Sequence, residues 1–325
     1  ESMEPLYLVS EGVLFRRENT LYFVNKQGKR ALPIHNISDI YCIAKVSLRS
    51  GAIHLLLKEQ IPIHFFNKYG FYRGSLYPKE HLISGKIVIA QVKHYSDWNL
   101  RKIIASRMIM GVKNNVLAVL KYYKKKCKDL DDEIEKISEI EVNGNTPSQL
   151  LGVESQIWQV YYSAFNKILR FFTFQKREYR PPSDEINALI SFGNSLLYAT
   201  ALSEIYKTYL HPAISYVHEP LERRFSLALD IADIFKSIIV ERVIFNLVNN
   251  QIITPQSFSH DVGTYLNDDG RKAFIKAFHE KLETTIKHPT LKRKVSYRTL
   301  IRLEGYKLVK HVLGDKEYVS FKAWW

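Results

Sequence analysis

Leu6-Tyr7-Leu8-Val9-Ser10-Glu11-Gly12-Val13-Leu14-Phe15-Arg16-Arg17-Glu18-Asn19-Thr20-Leu21-Tyr22-Phe23-Val24 is the stretch that sets the fold. Short runs of β-branched, aromatic and aliphatic residues are separated by turn formers, and Arg16-Arg17-Glu18-Asn19 and Lys26-Gln27-Gly28-Lys29 read as turn tips. Ile53-His54-Leu55-Leu56-Leu57 and Ile61-Pro62-Ile63-His64-Phe65-Phe66 continue the pattern and read as further strands. Six of the 14 glycines (Gly12, Gly28, Gly51, Gly70, Gly74 and Gly85) fall in this first part. Residues 3–85 are therefore expected to form a small β-sandwich-like N-terminal domain.

From Lys86 the segments lengthen. Thr146-Pro147 supplies an N-cap and a proline at the first helical position, opening a helix expected to reach about Arg170. Pro181-Pro182-Ser183 leads into a helix from Asp184 to Leu210 that His211-Pro212 ends, and a third runs from Ser226 to about Asn250. The switch from Lys124-Lys125-Lys126 and Lys128 to Asp129, Asp131, Asp132, Glu133 and Glu135 reads as a solvated helix-loop-helix edge. Residues 86–325 are thus expected to form a larger all-α domain, making the class α+β. A length of 325 residues accommodates two domains at roughly 150 residues each.

Hydrophobic residues are 46% and charged residues 25%, which excludes a disordered or fibrous chain. Cys42 and Cys127 stand far apart with no CxxC partner, excluding a disulfide scaffold and a cysteine-based zinc site and fitting a reducing, cytoplasmic compartment. No apolar run approaches the roughly 20 residues that span a bilayer, so no membrane partner is expected. The 47 Lys and Arg against 33 Asp and Glu leave +14, which points to a polyanion. Residues 266–325 alone hold 14 basic against seven acidic side chains. Lys292, Arg293, Lys294 and Arg298 there form a patch suited to DNA backbone, although a solvated surface accounts for it equally well.

Three places carry possible chemistry. Glu154 follows Gly152 near the start of a helix, where the macrodipole alone favours a carboxylate. His218 sits in the irregular loop before Arg223 and Arg224, which are suited to phosphate. On the third helix Leu227, Ile231, Ile234, Ile238 and Phe245 face a core, while Asp230, Asp233, Ser237 and Glu241 share another face. A plain polar face explains that spacing as well as a metal site does. Two carboxylates one turn apart repel, and a divalent cation would remove the repulsion. Oxygen ligands suit Mg²⁺ or Mn²⁺, and an imidazole among them favours Mn²⁺.

Asn187-Ala-Leu-Ile-Ser-Phe-Gly-Asn-Ser-Leu-Leu-Tyr198, His218, Arg224-Phe-Ser-Leu-Ala-Leu-Asp230-Ile-Ala-Asp233-Ile-Phe-Lys236 and Leu150-Leu-Gly-Val-Glu154 together resemble the CRISPR-associated integrase family Cas1. Ser296-Tyr297-Arg298, Glu304-Gly-Tyr-Lys307-Leu and Phe321-Lys-Ala-Trp324-Trp325 resemble the close of one subgroup. The resemblance implies a metal-dependent endonuclease and integrase that inserts foreign fragments of double-stranded DNA as spacers beside a CRISPR repeat. It places metal ligands on Glu154, His218 and Asp233, with Asp230 supporting the catalytic site. It further implies a homodimer formed through the β-domain, and a partner, Cas2. Ser237 departs from the family where many relatives have proline, and Leu221-Glu222 where glycine is frequent. Arg223, Arg224 and Lys236 are the candidates for holding phosphates beside the site. A structure-selective nuclease on branched DNA, or a non-catalytic DNA-binding scaffold, are the alternative readings.

Overall fold

Six strands and one helix are built from the first 58 residues: β1 (Glu4–Leu8), β2 (Gly12–Arg17), β3 (Thr20–Asn25), β4 (Gly28–Leu32), β5 (Ile37–Cys42), β6 (Val46–Leu48) and α1 (Ser50–Lys58). Strands β7 (Ile63–Phe66) and β8 (Tyr72–Leu76) complete the lobe. The structure, a computed structural model, describes residues 3–79, 84–126, 129–179, 181–221 and 224–325. Both turn tips fall as expected. The β2–β3 turn places Glu18 at φ 56°, and Gly28 at φ 129° opens β4 in a region that glycine alone enters without strain.

Two four-stranded sheets result, ordered β4-β3-β2-β6 and β1-β5-β7-β8. The pairs β1–β5, β5–β7 and β2–β6 are parallel, while the hairpins β2–β3, β3–β4 and β7–β8 are antiparallel. Leu14, Leu21 and Phe23 of one sheet pack against Leu8, Ile40 and Ile63 of the other. The expectation for Ile53–Leu57 is corrected, because that run is helical and lies in α1. A short apolar run reads as either element until its partners are known. Here Ala52, Leu55 and Leu56 are the buried set, which is helical spacing, and they close one side of the lobe's core.

Every residue of β5 is buried, because β5 is a wall common to two cores. Ile40 and Cys42 face the strand-rich core, whereas Tyr41 and Ile43 join the core of the helices. Asp39 lies buried on this strand. Its carboxylate accepts hydrogen bonds from Ser38 Oγ (2.6 Å), Tyr41 Oη (2.8 Å) and Ser203 Oγ (2.6 Å), the last from a helix of the other lobe. Burial alone would raise its pKa, but the Lys207 charge, His64 and the Ser203 bond hold it well below the carboxylate range. The stability it contributes is therefore fully present above the unfolded-state value near pH 4 and is lost as acid titrates the folded carboxylate. Asp39→Ala is expected to cost about 3 kcal/mol at neutral pH. In urea melts the gap between parent and variant should narrow below about pH 4.

The helical part comprises α2 (Gly85–Ser96), α3 (Trp98–Lys126), α4 (Asp131–Glu139), α5 (Pro147–Ser163), α6 (Phe165–Ile168), α7 (Glu185–Tyr206), α8 (Ser226–Lys236), α9 (Arg242–Asn249), α10 (Asp268–Glu283) and α11 (Tyr297–Val312). Two hairpins interrupt the all-α expectation: β9 (Phe258–Ser259) with β10 (Tyr265–Leu266), and β11 (Thr285–Lys287) with β12 (Lys294–Ser296). The caps read from sequence form. Thr146 Oγ1 accepts from Gln149 N (3.2 Å), and Asp184 Oδ1 accepts from Asn187 N (2.7 Å). The first of these helices breaks at Ala164 before α6 ends at Ile168, and the second stops at Tyr206, short of Leu210.

Helix α7 is buried over most of its surface and forms the centre of the bundle, with α8 and α11 packed against it. The run from Ser226 to Asn249 is continuous, with a π-turn over Ser237–Glu241 joining α8 to α9. A Cβ at Gly193 of α7 would stand 2.5 Å from Val240 Cγ1 and 2.9 Å from Phe274 Cζ, so only glycine lets that turn and α10 approach. Among the described residues α3 is the one helix long and apolar enough to cross a membrane by length and composition. Ile104, Met108, Val112 and Val116 on it are buried in the bundle core.

Candidate metal centre

Three elements bring Glu154, His218 and Asp233 together, with one ligand atom from each lying within 4.8 Å of the others. Glu154 comes from α5, in its middle rather than its first turn, so the macrodipole does not account for it. It is buried, and Trp158 Nε1 one turn on donates to its Oε1 (3.1 Å). Asp233 comes from α8, and Met108, Ile109 and Val112 of α3 form an apolar floor beneath the group.

His218 belongs to a loop that could wander, and Asp230 prevents that. The Asp230 carboxylate accepts three consecutive backbone N–H groups, from Tyr216 (2.7 Å), Val217 (3.0 Å) and His218 (2.9 Å). His218 Nδ1 adds a fourth bond at 2.7 Å. With Nδ1 engaged, Nε2 is the ring atom left to face the site, 3.6 Å from Asp233 Oδ2. Both Asp230 oxygens are occupied by the loop, so Asp230 positions the histidine and is not among the residues that touch the reacting centre. The loop has a second anchor that its sequence does not announce. Arg101 of α3, itself buried, donates to Tyr216 O (2.7 Å) and to Glu219 Oε1 (3.0 Å).

Electrostatics mark the centre as a cation site. Burial and the neighbouring Asp233 charge raise the Glu154 pKa well above the carboxylate range. Burial would lower that of His218, but the Asp230 hydrogen bond and the Asp230, Asp233 and Glu154 charges lift it to about 10. Two carboxylates and an imidazole converging, with no Lys or Arg paired to either carboxylate among the described residues, fit a divalent metal. Metal must displace protons from Glu154 and His218, so apparent affinity should rise from about pH 7 towards pH 10. Calorimetric Mn²⁺ titrations at several pH values check this, with proton release expected to accompany binding.

An open cleft of about 920 Å³, with no lining residue in common with the metal centre, lies between β8, α7 and the segment before α8. Arg73, Arg177 and Arg224 line it together with Tyr72 and Tyr198. Tyr198 Oη accepts from Phe225 N (2.8 Å), tying the cleft wall to the start of α8.

The family model described as CRISPR associated protein Cas1 matches residues 6–280. The chain belongs to the Cas1 family. It is similar to the CRISPR-associated protein Cas1 1 of Methanobrevibacter ruminantium, 49% identical over 328 residues and spanning 100% of both chains. It is also similar to the CRISPR-associated endonuclease Cas1 of Clostridium perfringens, 44% identical over 325 residues and 98% of each chain. A solved Cas1 structure from Thermotoga maritima matches with a TM-score of 0.86 at 38% identity, over 98% of this chain and 100% of that one. This Cas1-family chain is thus an enzyme of the endonuclease type, with a group of carboxylates and an imidazole that could hold a metal ion.

The other residues singled out in the Cas1 sequence pattern divide sharply. Arg224 lines the cleft, and its Nη2 donates to Glu219 O (2.9 Å). Arg223 and Cys127 lie outside the described residues. Lys236 is corrected, since it is buried and has no open face for a phosphate. Its ammonium donates to Tyr162 Oη and stacks 4.4 Å over Trp158. Burial would lower its pKa, but Tyr162, Glu241 and Asp233 raise it, so it contributes a fixed charge behind the carboxylates. Arg298 is corrected too. It is committed to Glu283 (2.8 Å) and to Met3 O (3.1 Å), bracing the two lobes. Lys292, Arg293 and Lys294 are exposed on the β11–β12 hairpin, where a charged run keeps its side chains in solvent.

The polar face of the third helix is the largest revision. Asp230, Ser237 and Glu241 are buried, and only Asp233 opens outward. Glu241, expected on the face of Asp233, instead lies behind Lys236 after the π-turn, and Arg177 joins it there from the connection before α7, a placement the sequence did not signal.

Proposed function

We propose that the chain is a divalent-metal-dependent DNA endonuclease and integrase of CRISPR adaptation, joining the 3′-hydroxyl of a foreign fragment to a repeat phosphodiester. The convergence of Glu154, His218 and Asp233 carries this reading, and a cationic, aromatic cleft in the same chain supports it. Those three side chains would hold Mn²⁺ or Mg²⁺, the imidazole favouring Mn²⁺. When bound, the metal supplies Lewis-acid polarisation of the scissile phosphate and stabilises the charge developing on it.

The chain's own groups do the rest. Asp230 fixes the tautomer and angle of His218, and Lys236 lowers the cost of gathering two carboxylates in a buried place. Arg73 and Arg224 neutralise backbone charge along the cleft, and Tyr72 and Tyr198 offer ring faces to unpaired bases. The attacking oxygen forms the new bond to phosphorus as the repeat's own 3′ oxygen leaves and takes up a proton. No covalent protein intermediate is required, and no side chain at the centre is placed as a nucleophile. A homodimer through the strand-rich lobe, a Cas2 partner and a cytoplasmic location belong to the same proposal and rest on family membership.

Supplying repeat DNA with fragments that carry either a free or a blocked 3′ end tests the reading. Joined product is expected only from the free 3′-hydroxyl. Cleavage of branched DNA that proceeds alike with both, without joining, would establish hydrolysis by water instead.

A further inference from the structure

A second cavity, of about 350 Å³, shares no lining residue with the metal centre. It opens between the end of α3, α9 and the end of α10, and four cations line it: Lys126, Arg170, Arg242 and Lys281. Among the described residues none of the four lies within ion-pair distance of a carboxylate, although Glu280 is also in the wall. Four uncompensated charges around one small cavity repel one another unless an anion is shared between them.

Arg242 is the best-defined of the set. Its guanidinium packs in the corner made by two rings, 4.3 Å from the Tyr122 centroid and 4.5 Å from that of Trp325. Trp325 is in turn fixed by its Nε1–H bond to Tyr297 Oη (2.9 Å). The two rings stand at 77° to each other with centroids 6.0 Å apart, so they brace the guanidinium from one side while it lines the cavity. A guanidinium braced in this way loses little further freedom when it binds a phosphate. Burial and the adjacent Arg242 charge lower the Lys281 pKa to about 8, a strain that an anion would relieve. Asn246 and Asn250 add amide groups at the rim.

We propose that this cavity is a second phosphate-binding site, which takes a nucleotide phosphate carried either by DNA backbone or by a free nucleotide. The DNA source rests on the function proposed above, whereas the free source does not. The test uses the full chain in EDTA, so that the metal centre is silent, and measures binding of inorganic pyrophosphate and of a short DNA duplex. For Arg242→Gln with Lys281→Met, binding of at least one probe should weaken about tenfold or more. If the source is DNA, the slope of affinity against salt should also flatten by about one for each phosphate left without its cation. Lys126→Gln with Arg170→Gln alters only exposed side chains and should weaken the same probe, which covers any misfolding of the first pair. Affinities of both variants within about twofold of the parent for both probes would overturn the proposal. A parent chain that binds no DNA would overturn the DNA reading of the whole protein, and the pyrophosphate arm would then decide the cavity alone.

Discussion

Alanine at Glu154, His218 or Asp233 is expected to reduce strand joining by about 10³-fold or more, with each variant still folded and still bound to DNA. The three effects should resemble one another and should not add, because each removes one donor from a single three-donor set. Stability should fall slightly for Asp233→Ala. In the metal-free protein the Asp233 carboxylate stands 3.6 Å from His218 Nε2 and helps hold that ring protonated, so its deletion removes a favourable contact. Thermal melts in EDTA should therefore show Asp233→Ala a little less stable than the parent, while Mn²⁺ should raise the melting temperature of the parent alone. Retained joining in His218→Ala would overturn the assignment of the imidazole.

Asp230 is expected to behave differently, and the contrast separates a positioning residue from a ligand. Asp230→Ala strips the acceptor from three consecutive backbone N–H groups and from His218 Nδ1, which should cost about 3–5 kcal/mol. Asp230→Asn keeps the shape but not the charge, and should lower metal affinity or activity by about 10–100-fold. Excess Mn²⁺ should restore joining to Asp230→Asn and should fail to restore it to Asp233→Ala. Equal rescue of both, or of neither, would show that Asp230 is not acting through His218.

Local rules made some of this fold legible in the sequence. The turns at Glu18 and Gly28, the Thr146 and Asp184 caps and the continuous run from Ser226 to Asn249 each depend on residues close in the chain. Ile53–Leu57 was not legible, since a short apolar run takes its conformation from the surface it covers, and that surface is made by distant strands. The ligand triad could be named from motif resemblance, but its order of burial could not. Spacing put Asp230 and Asp233 on one face, whereas the fold turns one towards the loop backbone and the other towards the open centre. Lys236 and Arg298 were misread for a related reason. A basic side chain is exposed by default, and only long-range packing against Trp158 or Glu283 removes it from solvent.

The strand shared by both cores has a mechanical consequence. Because β5 carries Ile40 and Cys42 into one lobe and Tyr41 into the other, with Ile43 just after it and Asp39 bonded to Ser203, the lobes have no hinge at this strand. Swinging one against the other would require pulling Tyr41 and Ile43 out of the helical core and breaking the Asp39–Ser203 bond. A partner held by the strand-rich lobe would thus keep one distance and one angle to the metal centre, set by the packing of β5 and not by any contact with that partner.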